Sequence, residues 1–411
     1  MSNIRIHPEQ LEGTVTPPSS KSMTHRLIVC AALAQGSSTI ENVDISQDIL
    51  ATLNCVERMG AEWVRVDAHT VQVNGIGGQT TLGGRPHLDC GESGSTLRFL
   101  IPVALAAAGE GTFTGRGRLM ERPLQPYFDL FQEKGIHYEL QDGVLTVRGK
   151  LEPGEYRLPG NVSSQFLTGL LLALPLLPGE SRIVLTTPLE SRDYVSMTLE
   201  VMGDFGIAVR KEGECLLVEG GQTYGAQSKM VETDWSQAAF WYAANFLGSQ
   251  IDIRDLNSDS SQGDMRVADY YWKLAKPGEV ELDVSQCPDL VPPLAVMAAL
   301  RSGTCRLVNA ARLRLKESDR LAAVTEVLNA LGARVEEGAD HLTIHGVDRL
   351  EGGVAVDCRN DHRIAMMAAA AATRCKKPVG LLGAECVNKS YPGFWEHYRT
   401  LGGKIDVVIP G

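Results

Sequence analysis

The chain has 411 residues, of which 44% are hydrophobic and 22% charged, a composition typical of a folded globular protein large enough for two domains. Its formal net charge of −11 argues against broad binding to nucleic acid or to acidic membranes, which requires an extended basic surface. The nine cysteines form no C-x-x-C pair, so a disulfide framework or a zinc ribbon is not expected. No apolar segment reaches the roughly 18 residues that cross a bilayer, and the first residues lack a signal-peptide core, so we expect a cytoplasmic protein.

The first predicted helix follows the stretch PPSSKSMTHR and begins near Lys21. Prolines and serines precede an apolar run that has no breaker until Gly36, which is the pattern of a capped helix start. Backbone N–H groups and the positive end of the helix dipole attract anions there, and the hydroxyl side chains add neutral donors. The stretch can therefore hold a phosphate or a carboxylate, or it can be an ordinary capped surface helix. The glycines of a P-loop are missing.

Four later segments combine small, polar and basic residues at predicted helix starts in the same way. They read CGESGSTLRFL, NVSSQFLTGLL, LRLKESDRLAAV and RNDHRIAMMAAAAA. Each one alone could be a capped helix with a surface ion pair, but five such segments in one acidic chain indicate a substrate that carries several negative groups. A metal site is not favoured, because Asp361 and His362 are adjacent rather than at ligand spacing. A dinucleotide site is not favoured either, because no G-x-G-x-x-G follows a strand.

A weak repeat runs along the chain, in which a predicted helix ends at a glycine and an alternating strand follows. The glycines are Gly60, Gly135, Gly206, Gly332 and Gly402. The long gap between Gly206 and Gly332 leaves room for one further unit near residue 276, where the pattern is cut short. Six units predict two pseudo-symmetric α/β domains, each of three repeated helix–strand units. The alternative is coincidence, since the succession of helix, glycine and strand occurs in most α/β proteins.

Nine motifs in a fixed order identify a resemblance that runs nearly from end to end of the chain. They are SSKSMTHR, GESGSTLRF, GRGRLMERP, NVSSQFLTGLL, PLESRDYV, CPDLVPPLAV, RLKESDRL, NDHRIAM and NKSYPGFW. This ordered set resembles the enolpyruvyl transferase family. The resemblance implies the family fold of two inside-out α/β domains. We expect residues 13–229 to form the N-terminal domain, and residues 1–12 with 230–411 to form the C-terminal domain.

The same resemblance implies a reaction. The enolpyruvyl group of phosphoenolpyruvate moves to the 5-hydroxyl of shikimate 3-phosphate, which releases phosphate and forms 5-enolpyruvylshikimate 3-phosphate, on the route to chorismate and the aromatic amino acids. No metal or organic cofactor is implied. The expected partners are these two small molecules, without nucleic acid or membrane. We expect a monomer whose domains close over the substrates.

The family's site residues are transferred to this chain motif by motif. The resemblance implies that shikimate 3-phosphate is bound by Lys21, Ser22, Arg26, Ser163, Ser164, Gln165, Ser191, Tyr194, Asp289 and Lys316. It implies that phosphoenolpyruvate is bound by Lys21, Gly94, Arg118, Gln165, Arg320, Arg363 and Lys389. Asp289 is expected to act as general base toward the hydroxyl and Glu317 as proton relay to the methylene carbon, while Lys21 stabilises charge in transit. Which carboxyl carries which proton stays open.

Two alternatives to this function stay open. A sister enzyme of the family acts on UDP-N-acetylglucosamine, but it usually has Lys-Asn where this chain has Lys21-Ser22, and a cysteine in the loop that here reads GRGRLMERP. The second alternative is an inactive member kept as a binding module, which the presence of both predicted carboxyls and every basic position disfavours. His25 and Arg312 depart from the family pattern, which has asparagine commonly at the first position and in some members at the second. We therefore leave Arg312 out of the predicted site.

Overall fold

A computed structural model describes residues 3–78 and 85–408, and within them the chain forms two compact units. The N-unit is Ser19–Glu232, and the C-unit combines the residues up to Pro18 with those from Thr233 onward. Each unit has its own buried apolar core. The domain boundaries predicted near residues 13 and 229 stay predictions, and residues 1–2, 79–84 and 409–411 of the predicted ranges lie outside the described part.

Strands and helices alternate along the described chain. The strands are β1 Asn3–Ile6, β2 Glu12–Val15, β3 Ser37–Glu41, β4 Glu62–Arg65, β5 Val71–Asn74, β6 His87–Asp89, β7 Glu110–Thr114, β8 His137–Gln141, β9 Val144–Arg148, β10 Glu155–Leu158, β11 Ser181–Leu185, β12 Val209–Glu212, β13 Cys215–Val218, β14 Ser228–Met230, β15 Gln250–Ile253, β16 Val280–Asp283, β17 Thr304–Val308, β18 Arg334–Glu337, β19 Leu342–His345, β20 Leu350–Gly352, β21 Ala355–Asp357, β22 Cys375–Lys377, β23 Val379–Leu382 and β24 Ile405–Val408. The α-helices are α1 Lys21–Leu33, α2 Gln47–Arg58, α3 Gly94–Ala108, α4 Gln125–Lys134, α5 Ser164–Ala173, α6 Arg192–Asp204, α7 Trp235–Phe246, α8 Val267–Ala275, α9 Val291–Ala299, α10 Arg320–Ala330, α11 His362–Ala372 and α12 Phe394–Thr400. Short 3₁₀ helices span Leu119–Glu121, Leu174–Leu176, Gly263–Arg266, Pro288–Leu290, Ala311–Leu315 and Ala384–Lys389.

Five of the predicted units share one sheet design. Each has four strands, in the orders β14-β3-β5-β4, β6-β7-β9-β8, β10-β11-β13-β12, β16-β17-β19-β18 and β21-β23-β1-β24. The first two strands of each sheet pair in parallel, and the other pairings are antiparallel. The fifth sheet takes β1 from the start of the chain, so that Ile4 pairs with both Leu381 and Val407. Sequence-distant strands thus complete the repeat.

The sixth unit is the one that the sequence shows cut short. Its sheet contains only the parallel pair β2 and β15, and the chain passes from α8 directly to the next unit at β16. The buried Arg301 accounts for this abrupt turn. Its guanidinium donates hydrogen bonds to the carbonyls of Leu274, Lys276 and Gly278 at 3.1, 2.5 and 2.6 Å. These bonds satisfy backbone carbonyl groups of the turn between α8 and β16, where other units have a hairpin.

The five repeat glycines follow the ends of α2, α4, α6, α10 and α12. All five have positive φ, for example 102° at Gly60 and 67° at Gly135. Residues with a Cβ are strained in this conformation, and glycine is the usual residue where a helix ends in it. The repeated glycine therefore marks a backbone requirement, the turn from each helix into the following strand.

The first helix of each unit is an inner helix, and the second is an outer one. In α11 all eleven residues are buried, and its alanines let neighbouring helices approach closely. In α2 buried and exposed residues alternate with the helical period, so that one face covers the core. The inner helices α3, α5, α9 and α11 begin close after the first strand of their sheet, whereas α1 follows β2 and α7 follows β14. Most predicted site residues lie at or near helix starts, of inner helices and of the outer helices α6 and α10. Among the described helices, none combines the length and the apolar character needed to cross a membrane.

Candidate active site

In the N-unit, α1 begins at Lys21 behind the N-cap Ser20, whose hydroxyl accepts a hydrogen bond from the backbone N–H of Met23. The Nζ of Lys21 lies 2.7 Å from the Oδ2 of Asp48 on α2, and the two side chains are 17% and 8% exposed. This ion pair holds the lysine at the helix start, where N–H groups and the helix dipole favour an anion.

Arg26 lies further along α1 and is only 1% exposed. Its guanidinium donates to three neutral oxygens, the hydroxyl of Thr198 at 2.8 Å and the carbonyls of Ser22 and Tyr194 at 2.6 and 3.0 Å. Its Cζ lies 5.2 Å from the centroid of the Phe99 ring. Burial lowers the pKa of Arg26 to about 10. Within the described residues no carboxylate lies at ion-pair distance from this cation, so it is electrostatically incomplete without a ligand.

The second inner helix, α3, begins at Gly94. Its N-cap Ser93 accepts a hydrogen bond from the N–H of Thr96 at 3.1 Å, so the cap is a neutral hydroxyl. A Cβ added to Gly94 would lie 2.8 Å from Nη1 of the buried Arg122, which shows that the guanidinium packs directly against this backbone. The sequence analysis did not single out Arg122, although it lies in the motif GRGRLMERP.

The third inner helix, α5, begins at Ser164 behind the N-cap Ser163. Gln165 connects this start to α3, because its Nε2 donates to Ser95 Oγ at 3.1 Å and its Oε1 accepts from Arg98 Nη1 at 2.7 Å. Arg98 thus orients a predicted ligand within the N-unit. The predicted serine and glutamine ligands therefore lie at helix starts that are bonded to one another.

The remaining predicted residues of the N-unit lie on α6 and in the loop before Leu119–Glu121. Ser191 is the N-cap position of α6 and has a φ of 54°, a backbone conformation that non-glycine residues adopt only at some cost. Tyr194 follows in the first turn and offers its carbonyl to Arg26. Arg118 is 48% exposed, and its Nε lies 3.8 Å from the carboxylate of Glu121, so it is a surface cation of the N-unit.

In the C-unit, Asp289 lies in the short helix Pro288–Leu290 that precedes α9. Its carboxylate is 2.8 Å from Arg320 Nη1, 3.1 Å from Arg363 Nη2 and 3.4 Å from Lys316 Nζ. Burial alone would raise the pKa of Asp289, but these three cations outweigh it and hold the pKa well below the usual value. Asp289 is therefore ionised at neutral pH.

Arg320, the first residue of α10, links three carboxylates. Its guanidinium donates to Asp361 at 2.8 and 3.3 Å, to Asp289 at 2.8 Å and to Glu317 at 2.6 Å. Burial would lower the pKa of Arg320, but the three carboxylates reverse that effect and raise it. These contacts use four of the five N–H donors of an arginine. Asp361 was absent from the predicted site, yet it is fully buried and also caps α11 by accepting from the N–H of Arg363 at 3.0 Å.

Two lysines complete the cation set of the C-unit. Burial lowers the pKa of Lys316 to about 8, although the neighbouring Asp289 opposes the shift. The Nζ of the buried Lys389 donates to the carbonyl of Asn360 at 2.5 Å, in the loop before α11. Lys389 is thereby attached to the same helix start as Arg363.

The other two arginines of RLRLKESDR make structural contacts. Arg314 donates to Asp319 and Glu337 at 2.9 and 2.8 Å, which fixes the N-cap of α10 against β18. Arg312 is buried and donates to the carbonyl of Ser285 at 2.5 Å. Arg312 and Arg314 thus hold the segment before α10, and through it they help to position Arg320.

Within the described residues, no group of three or more His, Cys, Asp and Glu side chains is arranged to hold a metal ion. All nine cysteines are free and buried, where they pack as small apolar side chains.

The structure joins Asp289, Lys316, Glu317, Arg320 and Arg363 directly in the C-unit, and it places Lys21, Ser22, Arg26, Gly94, Ser163, Ser164, Gln165, Ser191 and Tyr194 at helix starts of the N-unit. Two units with repeated sheets, and with cations and hydroxyls at helix starts, agree with the fold that the resemblance implies.

Comparison with known proteins names the family more closely. Residues 6–398 match the family model described as EPSP synthase (3-phosphoshikimate 1-carboxyvinyltransferase). The chain is 45% identical over 426 residues to the 3-phosphoshikimate 1-carboxyvinyltransferase of Clostridium kluyveri and 42% identical over 432 residues to that of Clostridioides difficile, with 99% of each chain covered. Its fold is similar to that of the EPSP synthase from Acinetobacter baumannii, with a TM-score of 0.82 and 24% identity over the whole of both chains. The chain therefore belongs to the EPSP synthase family.

This membership confirms the predicted family, the fold class and the enzymatic function, enolpyruvyl transfer to shikimate 3-phosphate. The roles of the individual site residues stay predictions.

Proposed function

We propose that the chain carries out the reaction of its family with the residues at the helix starts of the two units. The observation that carries the proposal is Arg26, a buried guanidinium whose contacts are all to neutral groups. An uncompensated buried charge is costly, and an anionic substrate removes that cost when it binds. Shikimate 3-phosphate offers a carboxylate, and we assign that carboxylate to Arg26.

The phosphate of shikimate 3-phosphate is assigned to neutral donors and one lysine. These are Ser163, Ser164 and Ser191 in the N-unit and Lys316 in the C-unit. The serines lie at the starts of α5 and α6, where N–H groups and the helix dipole add attraction for the phosphate. Ser22, Gln165, Tyr194 and Asp289 complete the contacts to the ring, and Lys21 contacts both substrates.

Phosphoenolpyruvate is assigned to the remaining cations. These are Lys21, Arg118, Arg320, Arg363 and Lys389, with the backbone N–H of Gly94 and the side chain of Gln165. Arg320 already uses four donors on carboxylates, so within the described contacts one N–H of Nη1 is left for the substrate. Its larger contribution is to hold Asp289 and Glu317 in place.

The chemistry requires two proton transfers. Glu317, once protonated, delivers that proton to the methylene carbon of phosphoenolpyruvate, and the 5-hydroxyl oxygen forms a bond to the adjacent carbon while Asp289 accepts the hydroxyl proton. The tetrahedral intermediate then breaks its bond to the phosphate oxygen, and the methyl carbon returns its proton to Glu317 as the double bond re-forms, while Asp289 passes the hydroxyl proton to the departing phosphate. Lys21 stabilises the charge on the departing phosphate.

The cations around Asp289 regulate its basicity. Three of them hold its pKa low, so the free carboxylate is a weak base. Bound phosphate and carboxylate groups compete for Arg363, Arg320 and Lys316, and each interaction they take from Asp289 raises the pKa of the carboxyl. Substrate binding thus makes the base stronger at the point where it is needed.

The test is release of phosphate from phosphoenolpyruvate in the presence of shikimate 3-phosphate, compared with UDP-N-acetylglucosamine. We expect turnover with the first acceptor and none with the second. Turnover with the sugar nucleotide alone would identify the sister activity, and turnover with neither acceptor would identify an inactive member.

We also propose that the chain acts as a monomer in the cytoplasm and that its units close over the substrates. Both units carry cations, and like charges oppose closure until substrate anions pair with them. Solution X-ray scattering should show the mass of one chain and a radius of gyration that falls when shikimate 3-phosphate is added. Shikimate without the phosphate is the control. An unchanged radius at saturating ligand would contradict closure.

A further inference from the structure

Helix α2 contains no predicted substrate ligand, yet two of its side chains, one turn apart, hold the start of α1. Asp48 contacts Lys21 at 2.7 Å, and the hydroxyl of Thr52 contacts His25 Nδ1 at 2.7 Å. Because Lys21 and His25 are also four residues apart, the two contacts lie one above the other between the helices. Together they fix the first turn of α1, which carries Lys21, both along the helix axis and in its rotation about that axis.

Thr52 continues this connection to α3. Its hydroxyl lies 2.7 Å from the hydroxyl of Thr96, which in turn donates to the N-cap Ser93 at 2.7 Å. His25, Thr52, Thr96 and Ser93 are all at most 1% exposed, so water has no access to the chain of bonds. The chain ends beside Gly94, whose N–H we assign to phosphoenolpyruvate.

The direction of these bonds follows from the buried ring of His25. Its Nε2 makes no hydrogen bond within the described residues. A buried N–H without an acceptor is rarer and costlier than a buried lone pair, so the hydrogen resides on Nδ1, which donates to Thr52. Thr52 then donates to Thr96, and Thr96 to Ser93, and every step has one donor and one acceptor. Burial, followed by the charges of Lys21 and Arg26, lowers the pKa of His25 well below its usual value, which agrees with a neutral ring.

We propose that Asp48 and Thr52 are positioning residues for enolpyruvyl transfer, which set Lys21 of α1 against the N–H groups at the start of α3. Thr52 is fully buried and cannot touch a substrate, so it acts only through its neighbours. The proposal rests on the proposed roles of Lys21 and Gly94. Arg26, in contrast, is held by Thr198 and Tyr194 of α6 as well as by Ser22 of its own helix.

This difference between Lys21 and Arg26 gives the proposal a kinetic signature. Thr52→Val keeps the side-chain shape but removes the hydroxyl contacts with His25, with Thr96 and, at 3.4 Å, with the carbonyl of Asp48. We expect kcat to fall and the KM for phosphoenolpyruvate to rise, each about tenfold, because misplacement of a substrate-binding group slows the reaction. The KM for shikimate 3-phosphate should rise less, since Lys21 and Ser22 are only part of its predicted contacts and Arg26 is also held by Thr198 of α6. Thr52→Ser restores the hydroxyl and should restore both constants.

Three further variants make the result decisive. Thr373→Val removes a hydroxyl of similar burial from the C-terminal end of α11 and should leave both KM values unchanged. Asp48→Asn should show the same selective effect as Thr52→Val. Lys21→Met tests the proposed function itself and should nearly abolish turnover. Should Thr52→Val fail to fold, Thr96→Val removes the link to α3 alone and is measured in its place.

Each outcome separates the two proposals. An inactive Lys21→Met together with a Thr52→Val enzyme of normal kinetics would overturn the positioning role and leave the proposed function intact. An active Lys21→Met would overturn the assignment of Lys21 instead. Equal losses of kcat in Thr52→Val and Thr373→Val, with both KM values unchanged, would show a purely structural contribution and also overturn the positioning role.

Discussion

The two units cap their helices with different chemistry. Side-chain caps in the N-unit are the serines Ser20, Ser46, Ser93 and Ser163, whereas those in the C-unit are the aspartates Asp234, Asp319 and Asp361. Both residue types accept a hydrogen bond from a helix N–H, but only aspartate also neutralises the positive end of the helix dipole. The N-unit therefore leaves the positive ends of its serine-capped helices available to an anionic ligand. In the C-unit the capping aspartates already neutralise these ends.

The arginines follow the same division. Arg26 of the N-unit has only neutral partners, and burial lowers its pKa to about 10. Arg320 of the C-unit contacts three carboxylates, which raise its pKa despite burial. Arg26 thus gains a counter-charge only from a bound anion, whereas Arg320 already has three. We infer that the N-unit contributes mainly binding and the C-unit mainly proton transfer.

The largest expected effect tests the chemical role of the C-unit. Asp289→Ala removes the proposed base, and kcat should fall roughly 10²–10⁴-fold because general base catalysis is lost. Shikimate 3-phosphate should still bind measurably by calorimetry, since its carboxylate and most of its phosphate contacts lie in the N-unit. A folded Asp289→Ala enzyme with normal kcat would break the division of labour between the units.

The free energy of unfolding should show the same contrast between the helix caps of the two units. Asp361→Asn takes one charge from a fully buried ion pair and should lower the free energy of unfolding by about 3–5 kcal/mol. Ser93→Ala removes a neutral cap in the N-unit and should cost only about 1 kcal/mol. Urea unfolding of both variants measures the difference. Equal losses would show that the charge of the cap is irrelevant.

Much of this architecture could be predicted from sequence because its signals are local. The repeat glycines mark helix ends within a few residues, and the serine-rich segments mark helix starts directly. The short unit near residue 276 was also apparent, since its missing hairpin is a missing stretch of sequence.

Contacts between distant residues could not be predicted in this way. Asp361 pairs with Arg320 across 41 positions, Arg26 with Thr198 across 172, and β1 completes a sheet with strands near the other end of the chain. A single sequence shows that an aspartate precedes an alanine-rich helix, but not which cation it neutralises. The sheet partner of β1 is likewise set by the tertiary fold rather than by any local pattern.

A smaller effect concerns Lys316 of the C-unit, a cation with a lowered pKa. Lys316 has a pKa of about 8, so it loses its charge as the pH rises through that value. The affinity for shikimate 3-phosphate should therefore fall, by about tenfold between pH 8 and 9.5, as the unbound lysine becomes neutral. Titration calorimetry across this range measures it. Lys316→Arg keeps its charge and should show a flatter profile, and identical profiles would exclude Lys316 as the titrating ligand.

The smallest effect concerns His25, the buried base of the N-unit. Its pKa is lowered in the folded state by burial and by two neighbouring cations, whereas in the unfolded chain it returns to about 6.5. Below that pH the unfolded state binds a proton that the folded state does not, so acid destabilises the fold through this residue. Between pH 7 and 5.5 we expect a loss of about 1 kcal/mol from His25 alone.

His25→Asn isolates this contribution, because it removes the titrating ring while the carboxylates of the C-unit stay the same in both proteins. Their acid sensitivity therefore cancels when the free energies of unfolding are subtracted at each pH. The wild-type protein should lose stability more steeply than His25→Asn as the pH falls from 7 to 5.5. Parallel curves would mean that the folded protein protonates His25 as readily as the unfolded chain does. The assignment of a neutral His25 ring would then be wrong, and so would the assigned direction of the hydrogen bonds from His25 through Thr52 and Thr96 to Ser93.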